Sequence, residues 1–356
     1  EVLIQKICKH YGNVPKIIAS TATIKRAEQQ VRSLYNKDVA AFPPQGLSYD
    51  DSYFAQESKN PDKAGRRYIG VFGSATNSMI TAQRNLLAPL LQFPTASFGD
   101  YIDEEINTDT NKATKKLRED CKNPFVDPYG TIIWYFNSLR ELGYADTLLV
   151  SDISEYLKNL CQRYNIEPQL RRFNLQITEL TSRAKDSAIS EVLKLLNEKW
   201  TPKPRHKKCL DVLLATNMIS VGVDINRLGL MVITGQPKST SEYIQASSRV
   251  GRSHPGLVFT LYNQSRSRDR SHFEMFKTYH QALYRAVEPS SVTPFSFKAR
   301  ERALPGLILG MARNIYNIED PNDFNEEISL GISSELEDYL DLVYSNTKSA
   351  DEVESA

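Results

Sequence analysis

The sequence has few of the features that mark metal-binding or secreted proteins. It contains four cysteines and five histidines in 356 residues, and no two cysteines form a C-x-x-C pair. The cysteines are Cys8, Cys121, Cys161 and Cys209. Only His206 and Cys209 stand at metal-ligand spacing, and no second pair completes a zinc site. Scattered cysteines without a disulfide framework are typical of a reducing cytoplasm, so we predict a cytoplasmic protein without a structural metal.

Long apolar runs are also missing. No run approaches the roughly 18 residues that a transmembrane helix needs, and no secretory signal opens the chain. We therefore expect no membrane contact. The sequence begins without Met, inside an amphipathic stretch. We expect it to be part of a longer protein.

A strong overall charge is absent as well, because the formal net charge is +1. The charges are nevertheless unevenly distributed. Residues 200–315 carry seventeen Lys and Arg against seven Asp and Glu, whereas residues 318–356 carry twelve acids and one Lys. A basic half favours a surface that faces a polyanion, although unrelated surface charge would give the same count.

Apolar runs and helical patterns alternate along most of the chain, and this predicts an α/β fold with a mostly parallel sheet. Strands are predicted at residues 16–19, 67–72, 131–136, 147–150, 177–180, 212–215, 230–233 and 257–262. Helices are predicted at residues 24–35, 78–91, 139–142, 153–164, 188–200, from about 241, 273–287 and 298–314. In an open parallel sheet, ligands bind beyond the strand ends on one edge.

Two segments in the second half carry a recognisable pattern. ATNMISVGVDI (215–225) resembles motif V, and QASSRVGR (245–252) resembles motif VI, of superfamily 2 helicases and translocases. The resemblance implies that Arg252 and Arg249 contact the γ-phosphate of ATP, with Arg252 as the arginine finger. It implies that Gln245 helps to hold nucleotide, and that Gly222 and Asp224 couple nucleotide state to nucleic acid. Taken alone, the two arginines would equally fit a solvated basic helix end.

Polar residues after predicted strands give candidate nucleic-acid contacts. IIASTATI (17–24) resembles motif III, and TIIWYF followed by Asn137 resembles motif IV. A Thr-Ser-Arg turn follows residues 177–180 and suits a phosphate, although plain helix capping explains it equally well. The predicted nucleic-acid contacts are Ser20, Thr21, Thr23, Asn137, Thr181, Arg183, Thr216 and Asn217. Arg266, Arg268 and Arg270 add a basic cluster, which we interpret as a loop near nucleic acid or nucleotide.

The phosphate-binding G-x-x-x-x-G-K-[ST] loop and the acidic box for Mg²⁺ are both absent. Helicases of this superfamily carry them before motif III. The resemblance thus implies that ATP and Mg²⁺ bind mainly to an N-terminal motor half outside this sequence, and that this chain alone does not hydrolyse ATP. The predicted parts are the end of a first RecA-like domain at 1–40, a linker and helical insertion at 41–128, a second RecA-like domain at 129–265, and a helical extension with an acidic tail at 266–356.

A longer segment narrows the resemblance. HQALYRAVEPSSVTPFSFKARERALPGLI (280–308), together with EYIQASSRVGR (242–252), is similar to helicases of the DISARM anti-phage systems. A helicase family with a C-terminal cysteine-rich repair domain is a second relative, but its cysteines are missing here. We therefore expect the C-terminal motor part of an ATP-dependent DNA translocase or helicase, with RNA not excluded as substrate and other defence proteins as partners. The alternative is a non-hydrolysing nucleic-acid-binding or scaffolding module.

Overall fold

The structure is a computed structural model that describes most of the chain. The described residues are 2–21, 23–35, 37–42, 51–52, 55–56, 65–76, 78–105, 126–166, 170–181, 183, 186–200, 209–217, 224–289 and 296–346. They form two compact units, which we call the sheet unit (59–287) and the helical unit (1–58 with 288–356).

Six parallel strands form the sheet of the sheet unit. They are β3 (Arg66–Phe72), β4 (Ile132–Phe136), β5 (Ile177–Leu180), β6 (Val212–Ala215), β7 (Leu230–Thr234) and β8 (Gly256–Tyr262). Their spatial order is β3-β8-β7-β4-β6-β5, and every neighbouring pair is parallel. The predicted α/β fold with a mostly parallel sheet is confirmed.

Helices cover both faces of this sheet. They are α3 (Met79–Glu105), α4 (Asp127–Gly130), α5 (Leu139–Leu148), α6 (Ser154–Arg163), α7 (Asp186–Asn197), α8 (Thr240–Ser247), α9 (Ser267–Glu274) and α10 (Phe276–Gln281). A π-helical turn, Leu149–Ile153, joins α5 to α6, and 3₁₀ turns lie at Gly73–Thr76 and Leu283–Ala286.

Side chains of the central strands alternate between two buried clusters, as the two-residue period of a strand requires. Ile133 and Tyr135 of β4 join a cluster with Leu196 of α7 and Tyr243 of α8. Ile132, Trp134 and Phe136 face the other side, and that cluster also includes side chains of α3, α5 and α6. Burial on both faces explains why β4, β6 and β7 are continuous apolar runs.

The sheet begins earlier in the sequence than we predicted. All seven residues of β3 pair in register with β8, and Leu87 and Leu91 of α3 are buried in the second cluster. Residues 66–105 are therefore part of the sheet unit, and their interpretation as linker and insertion is wrong. Residues 106–125 of the predicted insertion lie outside the described residues.

The helical unit contains α1 (Val2–His10), α2 (Ala27–Tyr35), a two-stranded ribbon of β1 (Asp51–Ser52) and β2 (Ala55–Gln56), α11 (Phe297–Asn314) and α12 (Glu326–Asn346). Its small core contains Met311, Ala312, Ile318 and Ile332. Lys6 Nζ of α1 and a carboxylate oxygen of Glu335 on α12 form an ion pair of 2.7 Å.

Three predicted elements differ from the structure. Residues 16–19 form no strand, and Ile18 is 84% exposed, because no described strand lies beside them to complete their hydrogen bonds. Residues 147–150 are helical, since Leu149 belongs to a buried stripe that continues at Ile153 and Leu157. The helix predicted at 273–287 is divided into shorter pieces, because the backbone leaves the helical region at Ala282.

Candidate functional site

All strands of the parallel sheet begin on one side of the sheet and end on the opposite side, and we call these two sides the amino edge and the carboxyl edge. The amino edge holds the residues that precede the strands, and the carboxyl edge holds those that follow them. All strands point the same way, so a residue after β4 lies on the same edge as residues after β5 and β6. The candidate residues of the sheet unit divide between these two edges.

The arginine turn, residues 248–252, lies on the amino edge. Helix α8 begins at Thr240, where the Ser239 hydroxyl accepts a hydrogen bond of 3.2 Å from the Glu242 amide, as expected for an N-cap. The helix ends at Ser247. The arginines therefore lie beyond the helix, on either side of Val250, which is fully buried in the core.

Gly251 gives the arginine turn its shape. Its φ is +73°, a conformation that residues with a side chain rarely adopt. Its amide donates a 2.8 Å hydrogen bond to the carbonyl of Leu228, just before β7. A Cβ placed on Gly251 would lie 2.8 Å from the Cα of Gly256, which begins β8. A glycine is thus required between the two arginines.

Arg66 also holds the arginine turn in place, although no sequence pattern pointed to this residue. Its Nε donates a 2.7 Å hydrogen bond to the carbonyl of Val250, the residue between Arg249 and Gly251. Its Cγ lies within 2.7 Å of the position that a Cβ on Gly251 would occupy. Only the pairing of β3 with β8 brings Arg66 to this place, 184 positions from Val250.

The charges on the amino edge lie close together. Arg252 forms an ion pair with Asp224, whose side chain is 68% exposed, and its Nε donates a 3.3 Å hydrogen bond to the Ser248 carbonyl. Burial lowers the pKa of Arg249, the positive charge of Arg252 lowers it further, and Asp224 raises it. Gln245 is half-buried in the last turn of α8. Gly222 lies outside the described residues.

Asn137 lies on the carboxyl edge, directly after β4. Its Nδ2 donates to the carbonyls of Thr234 (2.9 Å) and Gly235 (3.2 Å) at the end of β7. Its Oδ1 is buried and has no hydrogen-bond partner among the described residues. The side chain therefore ties two strand ends together, and this structural role limits the nucleic-acid contact that the sequence predicted.

The other candidates of this edge follow β6 and β5. The Thr216 amide donates a 3.4 Å hydrogen bond to the carbonyl of Leu180, so the two strand ends lie side by side. Thr216 is half-buried and Asn217 is exposed. Thr181 is buried and its hydroxyl accepts a 3.4 Å hydrogen bond from the amide of Arg183, whereas Arg183 is exposed.

Ser20, Thr21 and Thr23 belong to the helical unit and are not part of either sheet edge. The Thr21 hydroxyl and the backbone of Thr23 form a local turn, with distances of 3.3 and 3.4 Å. Ser20 and Thr21 are exposed, and Thr23 is half-buried.

Within the described ranges, no three His, Cys, Asp or Glu side chains come together in a group able to hold a metal ion. Among the helices that the structure describes, none is long and apolar enough to cross a lipid bilayer.

Comparison with known proteins gives a family match within the sheet unit. The family model for the helicase conserved C-terminal domain matches residues 142–254. The chain is 45% identical over 304 residues to DISARM protein DrmA of Bacillus paralicheniformis (strain ATCC 9945a / NCIMB 11709 / CD-2), an alignment that covers 85% of this chain and 25% of that protein. The chain thus spans about a quarter of the length of this relative.

Solved structures of the DUF1998 helicase MrfA share the fold. The complex with DNA and AMPPNP has a TM-score of 0.51 at 18% identity, covering 87% of this chain and 33% of that one. The complex with DNA has a TM-score of 0.50 at 16% identity, covering 87% and 34%. The predicted family resemblance is confirmed: residues 142–254 match the helicase conserved C-terminal domain, the sheet unit has a RecA-like fold, and the chain is similar in sequence to a DISARM protein.

Proposed function

We propose that this chain is the second motor domain of an ATP-dependent DNA translocase or helicase that acts in bacterial anti-phage defence. The observation that carries the proposal is the arginine turn. Two guanidinium groups flank a buried valine and an obligatory glycine, and the exposed carboxylate of Asp224 lies beside them. A helicase C-terminal domain and similarity to a DISARM protein support the same assignment.

The residues of the arginine turn suit the γ-phosphate of ATP. Arg remains charged and donates hydrogen bonds in a planar fork that matches phosphate oxygens. Burial and Arg252 both disfavour the charge on Arg249, and this lowers its pKa. A bound anion would stabilise that charge. In this proposal Arg252 and Arg249 hold the terminal phosphate, and Gln245 supports the nucleotide. The N-terminal motor half binds most of the ATP and its Mg²⁺. ATP would supply the phosphoryl group, and Mg²⁺ would neutralise its charge.

Asp224 does not prevent this role. A solvent-exposed ion pair contributes only about 0–1 kcal/mol, and the Asp224 side chain is 68% exposed. Stabilisation of phosphoryl transfer by an arginine finger is worth roughly 10³–10⁵ in rate. Arg252 therefore exchanges a weak partner for a strong one when nucleotide binds. In this proposal Asp224 and Gly222 report the nucleotide state to the carboxyl edge.

The carboxyl edge supplies the DNA contacts in this proposal. Asn137, Thr181, Arg183, Thr216 and Asn217 follow the adjacent strands β4, β5 and β6. Hydroxyl, amide and guanidinium groups in such a row suit the phosphate backbone, which is the same for every base sequence. Ser20, Thr21 and Thr23 of the helical unit are proposed as further contacts, from their resemblance to motif III.

The proposal is tested by changing Arg252→Ala in the full-length protein. DNA-stimulated ATP turnover should fall by about 10³ or more, whereas DNA affinity should change by less than about twofold, because Arg252 and the DNA contacts lie on opposite edges. Lys199→Ala is the matched control, since it removes an exposed cation of the amino edge outside the arginine turn.

Equal turnover in the wild-type protein and the Arg252→Ala variant would refute the arginine-finger role. A wild-type protein that binds DNA and does not hydrolyse ATP would instead be the non-hydrolysing scaffold.

A further inference from the structure

Three exposed arginines stand at the end of β8, outside every site assigned so far. Arg266, Arg268 and Arg270 alternate with Ser267 and Asp269 where β8 leads into α9. Asp269 is fully buried, and the three arginines are exposed. At the start of α9, Asp269 therefore points into the protein, whereas the arginines around it lie at the surface.

Asp269 fixes the position of this helix start. Its Oδ1 accepts a 3.0 Å hydrogen bond from the amide of Gln236, which follows β7. Its Oδ2 accepts a 2.8 Å hydrogen bond from the amide of Asn263, which follows β8. Both carboxylate oxygens accept backbone hydrogen bonds. Asp269 thereby fixes the helix start, and the arginines on it, next to the ends of β7 and β8. Arg268 and Arg270 are its chain neighbours, about 100° to either side of it around the helix axis.

The arginine cluster adjoins the proposed DNA contacts. A Cβ on Gly235 would lie 3.2 Å from Nη1 of Arg266 and 3.3 Å from Nδ2 of Asn137. These two side chains thus both lie close to the space that a side chain on Gly235 would occupy. Arg266 also forms an ion pair with Glu141 in the first turn of α5. The pair joins the start of α9 to the start of α5 and neutralises one of the three cations.

We propose that Arg268 and Arg270 bind the phosphate backbone of DNA, so that the DNA track on the carboxyl edge extends from β5, β6 and β4 across to β8. The inference rests on the proposed function and adds a contact segment that lies after the matched helicase domain, which ends at residue 254. Because both cations are exposed at the surface, we expect them to contact phosphates rather than base edges, so that binding is independent of base sequence.

The salt dependence of binding tests this inference. Each phosphate that a cation neutralises contributes about 0.7 to the slope of log affinity against log salt for single-stranded DNA. In the full-length protein, the double variant Arg268→Gln with Arg270→Gln should lower that slope by about 1.4. The measurement is a titration of a labelled single-stranded oligonucleotide at several NaCl concentrations, repeated with a second, unrelated sequence.

Two control variants separate a local contact from net charge. Lys194→Gln with Lys199→Gln removes two exposed cations near the opposite edge and should leave the slope unchanged. Arg268→Lys with Arg270→Lys keeps both charges and should keep the slope. Both changed arginines are exposed and Asp269 is retained, so the thermal unfolding midpoint should match that of the wild type.

Each outcome decides a different point. An unchanged slope in the Gln variant, beside normal ATP turnover, would overturn this inference and leave the proposed function standing. An equal loss of slope in the Lys194→Gln with Lys199→Gln variant would also overturn it, because net charge alone would then account for the effect. A wild-type protein that binds no DNA would overturn the proposed function together with the inference.

Discussion

The two edges of the sheet are held in different ways. At the amino edge, Arg172 and Asp211 form a buried ion pair of 2.6 Å, with side chains 1% and 0% exposed. At the carboxyl edge, the ion pair between Arg266 and Glu141 has side chains that are 43% and 22% exposed. Buried charges must be fully paired, whereas exposed ones interact weakly and remain available to a ligand. The charges that precede β5 and β6 are therefore held in place, whereas the pair at the start of α9 remains open to solvent.

Further contacts make the amino edge a continuous network. Asp211 also accepts hydrogen bonds from Trp200 Nε1 (3.1 Å) and from the amide of Gln176 (2.8 Å). A second pair, Arg227 with Asp127 at 3.1 Å, lies beside it. An arginine finger needs an exact position, because an error of about 1 Å can reduce the rate roughly 100-fold. DNA backbone contacts tolerate more movement. The difference in construction therefore matches the two proposed tasks.

The largest effect is expected when the buried ion pair between Arg172 and Asp211 is removed. Arg172→Met leaves Asp211 buried with an uncompensated charge, so the free energy of unfolding should fall by about 3–5 kcal/mol. The neighbouring Arg171→Met is the control, since Arg171 is only half-buried and should cost much less. Urea unfolding of both variants measures the difference. Equal unfolding midpoints would show that the amino edge does not depend on this pair.

The next effect concerns the arginine turn. Gly251→Ala forces a side chain into a φ of +73° and against Gly256, so the turn must shift. We expect DNA-stimulated ATP turnover to fall about 100-fold, or roughly 2.7 kcal/mol of activation free energy. Gly143→Ala is the control, because a Cβ there meets nothing within 4 Å. Normal turnover in Gly251→Ala would mean that the position of the turn does not limit the reaction.

A smaller effect belongs to the carboxyl edge. Thr216→Val keeps the side-chain shape and removes one hydroxyl, which is worth about 0.5–1.5 kcal/mol as a hydrogen bond. DNA affinity should therefore fall by about two- to tenfold, while ATP turnover without DNA stays unchanged. Thr147→Val, at an exposed position of α5, is the matched control. A change in the basal turnover of Thr216→Val would contradict the separation of the two edges.

The last effect is a pH dependence and concerns the packing of α10 on α8. His280 Nδ1 lies 2.7 Å from the Phe276 carbonyl and its Nε2 lies 2.9 Å from the Tyr243 hydroxyl. Burial lowers the pKa of His280 below its ordinary 6.5. The unfolded chain therefore takes up this proton first as the pH falls. Stability is complete above about pH 6.5 and decreases below it, by up to about 1.4 kcal/mol per pH unit, until the pH passes the folded pKa.

The His280→Gln variant has no imidazole at this position and therefore does not take up this proton. Thermal unfolding from pH 7.5 to pH 5 should show a shallower decrease in the variant than in the wild-type protein. Parallel curves would show that His280 titrates alike in both states.

Local patterns predicted most of the sheet. The strands at 177–180 and 212–215 have the predicted bounds, and the strands predicted at 131–136 and 257–262 each begin one residue away from the predicted start. Burial on both faces makes such runs apolar throughout, so they can be recognised without their neighbours. The segment at 147–150 shows the limit, because four apolar-rich residues fit a strand as well as one face of a helix, and only the stripe through Ile153 and Leu157 decides.

Residues that act through distant neighbours could not be predicted. Arg66 contributes to the arginine turn only because β3 pairs with β8. Asp269 resembles any acid in a helix start until its contacts with Gln236 and Asn263 are known. Asn137 was predicted from its place after a strand, and that place is correct. Its contact with the end of β7 depends on a strand order that the sequence does not reveal.

The pairing of β3 with β8 has a consequence for synthesis on the ribosome. Arg66 leaves the ribosome 184 residues before the carbonyl that it binds. At roughly 5–20 residues per second, β3 waits about 10–40 s for its partner strand. During that interval it has an unpaired backbone edge, a state that favours pairing with other chains. Two exposed arginines open this strand, Arg66 and Arg67, and their charge opposes such pairing until β8 arrives.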